Sequence, residues 1–434
     1  PAGGRRQPAP LLERAMAANA AVAAPGARVG GAGPRLRAAK PARLRSVEMG
    51  GPAGRWGTPR ARFGGVGSFY QNFFTATASA AYELDLWGRL SRTRRSAWAS
   101  ALASEVDRRT VRQALVADVV RGWLAVHEAR AQLALGRGTV AAYASSRDMV
   151  EDRYLSGVAS SVDVHLARQN VSSASALTSL REQELAAARR GLEMLLGRYP
   201  AGVIRITGAD GPGIDALPAL SAVPAGLPAA LLERRPDIQA AEMRLRAATE
   251  GIGAAKGDLF PRLALTGEWG YNSSLLEALL EDASNVWSLA GGLAVPLLNR
   301  GARTSQVDAA RAGAAEAEAN YVKTVLNGFR EVESALSADR LQGERRAHLR
   351  ASVDHARRSL SVAEERYRQG LDGYLTVLDT QRRLLQAEGD WLGAERAWRA
   401  SRVDLIQALG GDWDEPATDD ETAAPGRTSD RGEG

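Results

Sequence analysis

Few residues in this 434-residue chain have the type and spacing to do chemistry. The four histidines, His127, His165, His348 and His355, are scattered over helix-forming stretches. His348 and His355 stand seven apart on one helix face, but a zinc site wants a third ligand and a shorter spacing. All four read as solvated helix-surface histidines. Glu331 and Glu333 lie among other helix charges and read as a solvated face. There is no glycine-rich phosphate loop and no nucleophile elbow. Cysteine is absent, which removes disulfides, thiol catalysis and thiolate metal sites together. The reading is of a non-enzyme, with no catalytic residue, cofactor or metal assigned.

Two aspartates follow a conspicuous pair of joints. Arg153-Tyr154-Leu155-Ser156-Gly157 precedes Asp163, and Arg366-Tyr367-Arg368-Gln369-Gly370 precedes Thr376 and Asp379. The joints lie 213 positions apart; at that offset Gly88 falls on Gly301 and Phe74 on Trp287. One unit of about half the chain is duplicated, each copy reading as strand, long helix, break and long helix. Each joint is a glycine-containing break between proline-free stretches and must reverse the chain. Its glycine fits a plain helix C-cap equally well.

The elements that position these joints are long. From Gly88 to about Met149 there is no proline, and Leu102, Val106, Leu115, Val119, Trp123 and Val126 recur at helical spacing. Some sixty residues of helix would span roughly 90 Å. Proline-free stretches also cover about 161–198, 301–367 and 375–409. Alanine at many core-type positions, as in 309–319, suits close coiled-coil packing. Three other segments alternate with period two. Phe74, Ala76, Ala78, Ala80, Tyr82 and Leu84 share a face opposite Thr75, Thr77 and Ser79; Leu263, Leu265, Trp269 and Tyr271 oppose Thr266 and Glu268; Trp287, Leu289 and Leu293 oppose Ser288. A lipid-facing barrel strand needs this pattern, although a half-buried antiparallel strand alternates in the same way.

Charge is unevenly placed. Residues 1–62 carry twelve Lys or Arg against Glu13 and Glu48, so the whole-chain +6 leaves about −4 for the rest. A nucleic-acid protein carries its basic footprint on the folded body, so that class falls away. No run of 18 apolar residues exists, hence no transmembrane helix. The chain begins at Pro1 without a methionine, so a preceding segment is expected.

The chain resembles the TolC-like outer membrane efflux proteins, and within them the NodT-type lipoprotein subgroup that serves resistance-nodulation-division pumps. The residues that carry the resemblance are Tyr82-Glu83-Leu84-Asp85-Leu86-Trp87-Gly88-Arg89, Gly226-Leu227-Pro228 through Leu232-Glu233-Arg234-Arg235-Pro236-Asp237-Ile238, Leu259-Phe260-Pro261, Val295-Pro296-Leu297 with Asn299-Arg300-Gly301, and the two Arg-Tyr-x-x-Gly joints. It implies a mainly helical fold with a membrane β-barrel: two repeats, strand-helix-helix-strand, forming a trimeric α/β barrel tunnel in the outer membrane and periplasm. It implies a passive duct for drugs or other small molecules, a homotrimer working with a periplasmic adaptor and an inner-membrane pump, and contact with outer membrane lipid. Phe74, Tyr82, Trp269, Tyr271, Trp287 and Leu293 would face lipid. The joints would be tips meeting the adaptor, through Arg153, Gly157, Val158, Arg366, Gly370 and Leu371. Asp163, Asp379, Tyr367 and Asp372 would sit at the gate, with Tyr367 hydrogen-bonded to Asp163 when closed. Thr376 replaces one carboxylate, and Asp372 stands where some relatives place arginine, which implies a weakened charge lock. Asp163 also fits the role of a helix cap.

The parts expected are residues 1–67, a degenerate or disordered segment with a remnant first helix and strand; 68–225 and 226–413, the two repeats; and 414–434, a disordered tail. The segment 197–235, rich in Pro and Gly, would cross the tunnel's equator. In the first part, Pro25, Gly26, Gly30, Gly31, Gly33, Pro34 and Pro41 interrupt what should be helix. Near Val47 to Arg62 no alternation is evident, and an arginine such as Arg55, Arg60 or Arg62 facing mid-bilayer would cost about 2–4 kcal/mol. The expectation for this stretch is a local frame change, a degenerate segment or disorder, any of which would bear on barrel closure. A lipidated cysteine, common in relatives, would have to lie upstream. Two rivals remain: a type I protein-export channel, and a soluble coiled-coil scaffold, which explains the helices but not the lipid-type strands.

Overall fold

The computed structural model describes residues 9–20, 22–24, 26–27, 29–31, 44–59, 68–204, 214, 234–295 and 299–411. The tail at 414–434, most of the expected equatorial segment, Leu227-Pro228, Pro296-Leu297, Arg60 and Arg62 lie outside them. In chain order the elements are α1 (Ala9–Ala18), β1 (Leu44–Gly50), β2 (Ala53–Pro59), β3 (Ser68–Leu84), α2 (Arg89–Leu155), α3 (Ser161–Leu195), α4 (Pro236–Gly257), β4 (Arg262–Ser273), β5 (Asn285–Ala294), α5 (Arg300–Arg368) and α6 (Tyr374–Ala408). The fold is mainly helical with one sheet. α3 and α6 are each 35 residues long and begin 213 positions apart. Each ends in a leucine cap followed by a positive-φ glycine, Gly197 or Gly410.

The chain divides into two compact units. One comprises residues 20–112 and 236–327 and holds the sheet. Its strands are antiparallel, β3 pairing β1 and β2 along one edge and β4 along the other, with β5 beyond β4. β1 and β2 are one strand in register: Gly50 opposes Thr77 and Ala53 opposes Phe74. The ladder is interrupted at Pro52, which has no N–H to donate, although its carbonyl still accepts from Thr75 N at 3.0 Å. A paired strand thus occupies residues 44–59, where the sequence by itself shows no alternation. The signal was weak because only Val47 and Met49 stand out between glycines and a proline.

Residues directly opposed across an antiparallel pair share a face. One row is Met49, Ala78, Trp269 and Trp287; the next is Val47, Ala80, Gly267 and Leu289. Phe74, Tyr82, Tyr271 and Leu293 belong to the same face by register. The opposite face carries Glu48, Ser79, Glu268 and Ser288 in one row. The apolar face is bare: Met49, Trp287 and Leu289 are 89%, 75% and 74% exposed.

At the strand-to-helix junction the Tyr82–Arg89 and Leu259–Pro261 stretches meet. Asp85 accepts from the N–H groups of Leu90 (2.9 Å) and Ser91 (2.8 Å), capping α2. Trp87 donates to Pro261 O at 2.8 Å and stacks on Phe260, centroids 4.7 Å apart. Glu83 receives Arg89 at 2.6 Å. Ser96 Oγ donates to Ala247 O, and Arg92 and Arg95 both reach Glu250, tying α2 to α4.

The second unit comprises residues 1–19, 113–235 and 328–434. Here α2 and α6 are joined by Arg121 to Asp404 and by Gln132 Nε2 to Gly389 O at 2.9 Å. Val332, Ala335, Leu405, Ala408 and Leu409 form a core beside Phe329. Arg235, the second arginine of the Arg-Arg-Pro string, is buried there. It donates to Ala408 O at 2.9 Å and to Glu331 at 2.7 Å, satisfying a carbonyl at the end of α6.

Candidate gate at the helix-hairpin turns

Both hairpin turns are Schellman caps. After α2, Gly157 (φ 75°) donates to Tyr154 O, and Val158 N–H to Arg153 O, each at 2.9 Å. After α5, Gly370 (φ 74°) donates to Tyr367 O at 3.0 Å, and Leu371 N–H to Arg366 O at 2.9 Å. A Cβ at either glycine would meet nothing within 4 Å, so backbone conformation rather than space demands glycine. The C-cap role held open by the sequence is therefore present. Val158 and Leu371 are 65% and 61% exposed at the same point of each cap.

The four helices meet in a small core behind the turns: Val150, Val164, Ala167, Ala363, Tyr367, Tyr374, Val377 and Leu378. Arg153 is not free at the surface. Its guanidinium lies 4.7 Å from the Tyr367 ring centroid and donates to the carbonyls of Tyr367 and Arg368 at 3.3 and 3.4 Å. Tyr374 receives Ser146 Oγ at 3.3 Å, and its ring stands 5.7 Å from that of Tyr367. Burial pushes the Tyr367 hydroxyl above its ordinary range, Arg153 opposing and Asp163 adding to the shift.

Asp163 stands in a capping box. Its carboxylate accepts from Ser160 N at 3.1 Å and Ser160 Oγ at 2.9 Å, while its own N–H donates back to Ser160 Oγ. The expected Tyr367–Asp163 hydrogen bond is absent; the buried Tyr367 hydroxyl has no hydrogen-bond partner among the described residues. Ser160 satisfies the carboxylate first because it lies three residues away on the same turn. Asp372 pairs with Arg366 (2.7 Å) across its own turn, which holds its carboxyl below the ordinary range. Asp379 pairs with Arg383 one helical turn on, at 2.8 Å, exposed. The core therefore brings Arg153 to Tyr367, whereas Asp163, Asp372 and Asp379 each hold local partners.

His127 corrects the solvated-histidine reading. It is 4% exposed on α2, its ring 4.4 Å from that of Trp123, and burial with nearby Arg130 lowers it to about 4. Its helical spacing from Trp123 carried the signal. Ser146 and Tyr374 were also missed, because no local pattern links residues 228 positions apart.

The family model for outer membrane efflux protein matches residues 11–198 and 227–411. The chain belongs to the outer membrane efflux protein family. It is 37% identical over 334 residues to the solvent efflux pump outer membrane protein SrpC of Pseudomonas putida, covering 77% of this chain and 70% of that protein. It is 36% identical over 352 residues to the outer membrane protein OprJ of Pseudomonas aeruginosa, covering 81% and 72%. The fold matches the crystal structure of a membrane protein from Pseudomonas aeruginosa with TM-score 0.87 at 30% identity, over 93% of this chain and 94% of that one. This is a family of efflux ducts rather than enzymes, and the chain is an outer-membrane efflux channel.

Proposed function

We propose that three copies close one membrane barrel, each giving four strands, with the helices of the two repeats forming a periplasmic tunnel. The observation that carries this is the bare apolar face of a sheet ending in open edges at β1–β2 and at β5. Open edges do not survive in hydrocarbon, and four strands are too few to close alone. The apolar rows from Phe74 to Leu84 rise about 26 Å at ordinary strand rise and barrel tilt, the height of a lipid-facing band. The sheet end carrying the 60–67 and 274–284 connections then faces outward, and the helices leave from the periplasmic end.

On this reading the two Schellman turns form the far end of the tunnel. Gly157-Val158 and Gly370-Leu371 meet a periplasmic adaptor, and a resistance-nodulation-division pump delivers the cargo. Asp163 and Asp379 give the constriction its negative charge, while the Asp372–Arg366 pair leaves the lock weak. Relatives named for solvent, toluene and antibiotic efflux pumps support small, largely apolar cargo. The absence of cysteine makes a clean test. Single cysteines placed on β1 and β5, oxidised in membranes, should give a ladder ending at the trimer. A ladder ending at the dimer, or continuing past three, refutes closure by three copies.

A further inference from the structure

Arg55, one of the arginines that make the first strand look unfit for a membrane, has a place outside the apolar band. Arg55 opposes Asn72, one face-row beyond Ala53 and Phe74, where the sheet has narrowed to the β2–β3 ribbon. By register it projects on the same side as Met49 and Trp269. Its guanidinium lies 4.9 Å from the ring centroid of the exposed Tyr70. The ribbon is closely packed at this point: Gly54 opposes Phe73 and leaves the space that the Phe73 ring fills, 2.6 Å from where a Cβ would sit. From Met49 to Tyr82 the sequence contains Arg55, Arg60 and Arg62 and no Asp or Glu. Among the described residues no ion pair joins Arg55 to Glu277, Glu281 or Asp282 of the connection at the same end of the sheet.

We infer that Arg55, braced on Tyr70, binds the phosphate of an anionic glycolipid in the outer leaflet. This rests on the reading of the sheet as a membrane barrel. A guanidinium stacked on an aromatic ring keeps its edge donors free for two oxygens of one phosphate. The site continues the lipid-facing side of the band at the height where headgroups begin, so its occupant is a lipid whose acyl chains lie along Met49, Val47 and Trp269. A single arginine contact of this kind contributes about 1 kcal/mol, near fivefold in affinity, and weakens with salt.

The test uses the full chain in two arms. Insertion into phosphatidylcholine vesicles, read by protease protection, checks the barrel on its own; failure there overturns both readings. The inserted protein is then titrated with diphosphoryl lipid A, with dephosphorylated lipid A and with inorganic phosphate. The inference expects about fivefold tighter binding of the diphosphoryl form, lost in Arg55→Gln, largely kept in Arg55→Lys and reduced in Tyr70→Leu. Equal binding of the two lipids, or an unchanged Arg55→Gln, overturns it. So does competition by inorganic phosphate at equal concentration, which would make the ligand free phosphate. If Arg55→Gln loosens the oligomer while lipid binding holds, the acidic 274–284 connection is the true partner and the inference falls.

Discussion

The guanidinium of Arg153 lies 4.7 Å over the ring of Tyr367, joining the end of α2 to the end of α5. It also donates to two carbonyls in the last turn of α5, so one side chain ties both hairpin turns together. Arg153→Gln removes the stacking, worth about 0.5–2 kcal/mol. Faster protease cleavage at 153–158 and 366–371 should follow, with higher single-channel conductance. Tyr367→Phe should change neither, because the lost hydroxyl has no partner to forfeit. A destabilised Tyr367→Phe protein would restore the Tyr367–Asp163 bond as the true closed-state contact.

Asp379 tests the charge at the constriction. In Asp379→Ala the channel should conduct more and lose part of its block by divalent cations, since three copies of one carboxylate would no longer gather them. Because Asp379 is exposed and, among the described residues, its ion pair is with Arg383, folding stability should move by less than about 1 kcal/mol. Unchanged block in planar bilayers would remove Asp379 from the gate.

Glu193 holds the chain where it leaves α3. Its carboxylate accepts from the N–H groups of Gly202, Val203 and Ile204 at 2.6, 2.9 and 2.8 Å. Burial alone would raise this carboxyl, but those three donors and nearby Arg190 outweigh it and hold it below its ordinary range. The stability it contributes is present above the unfolded carboxylate range and fades as pH falls through the lowered value. Glu193→Ala should cost about 1–3 kcal/mol and open the 198–204 backbone to protease. Equal proteolysis of variant and parent would contradict this anchor.

Buried His127 sets a pH window. Its lowered value, about 4 against 6.5, means the unfolded chain takes a proton that the folded chain refuses. Stability is therefore intact above pH 6.5, falls between 6.5 and 4 by as much as about 3 kcal/mol, and levels below. Thermal unfolding of His127→Phe should lose most of that slope. An equally steep profile in the variant would place the acid sensitivity elsewhere.

How much of this was legible in the sequence depends on how local each pattern is. Long helices, their reversals at Gly157 and Gly370, and the shared face of Tyr82, Trp269 and Trp287 follow from periodicity, which neighbouring residues carry. The first strand was obscured because Gly50, Gly51, Pro52 and Gly54 dilute its alternation; only pairing with β3 reveals it. At the turns, the sequence brought the right residues forward but not their partners. Asp163 could reach either a distant tyrosine or Ser160 three residues away, and the nearer donor won. Arg153 read as a surface residue because nothing local shows that Tyr367 would lie beneath it.

The central claim, a channel closed by three copies of this chain, is tested most directly by adding the purified full-length protein to a planar lipid bilayer. Uniform, discrete conductance steps from a species that runs as a trimer unheated and as a monomer after boiling are predicted. A protein that stays a water-soluble monomer and leaves the bilayer silent would contradict it.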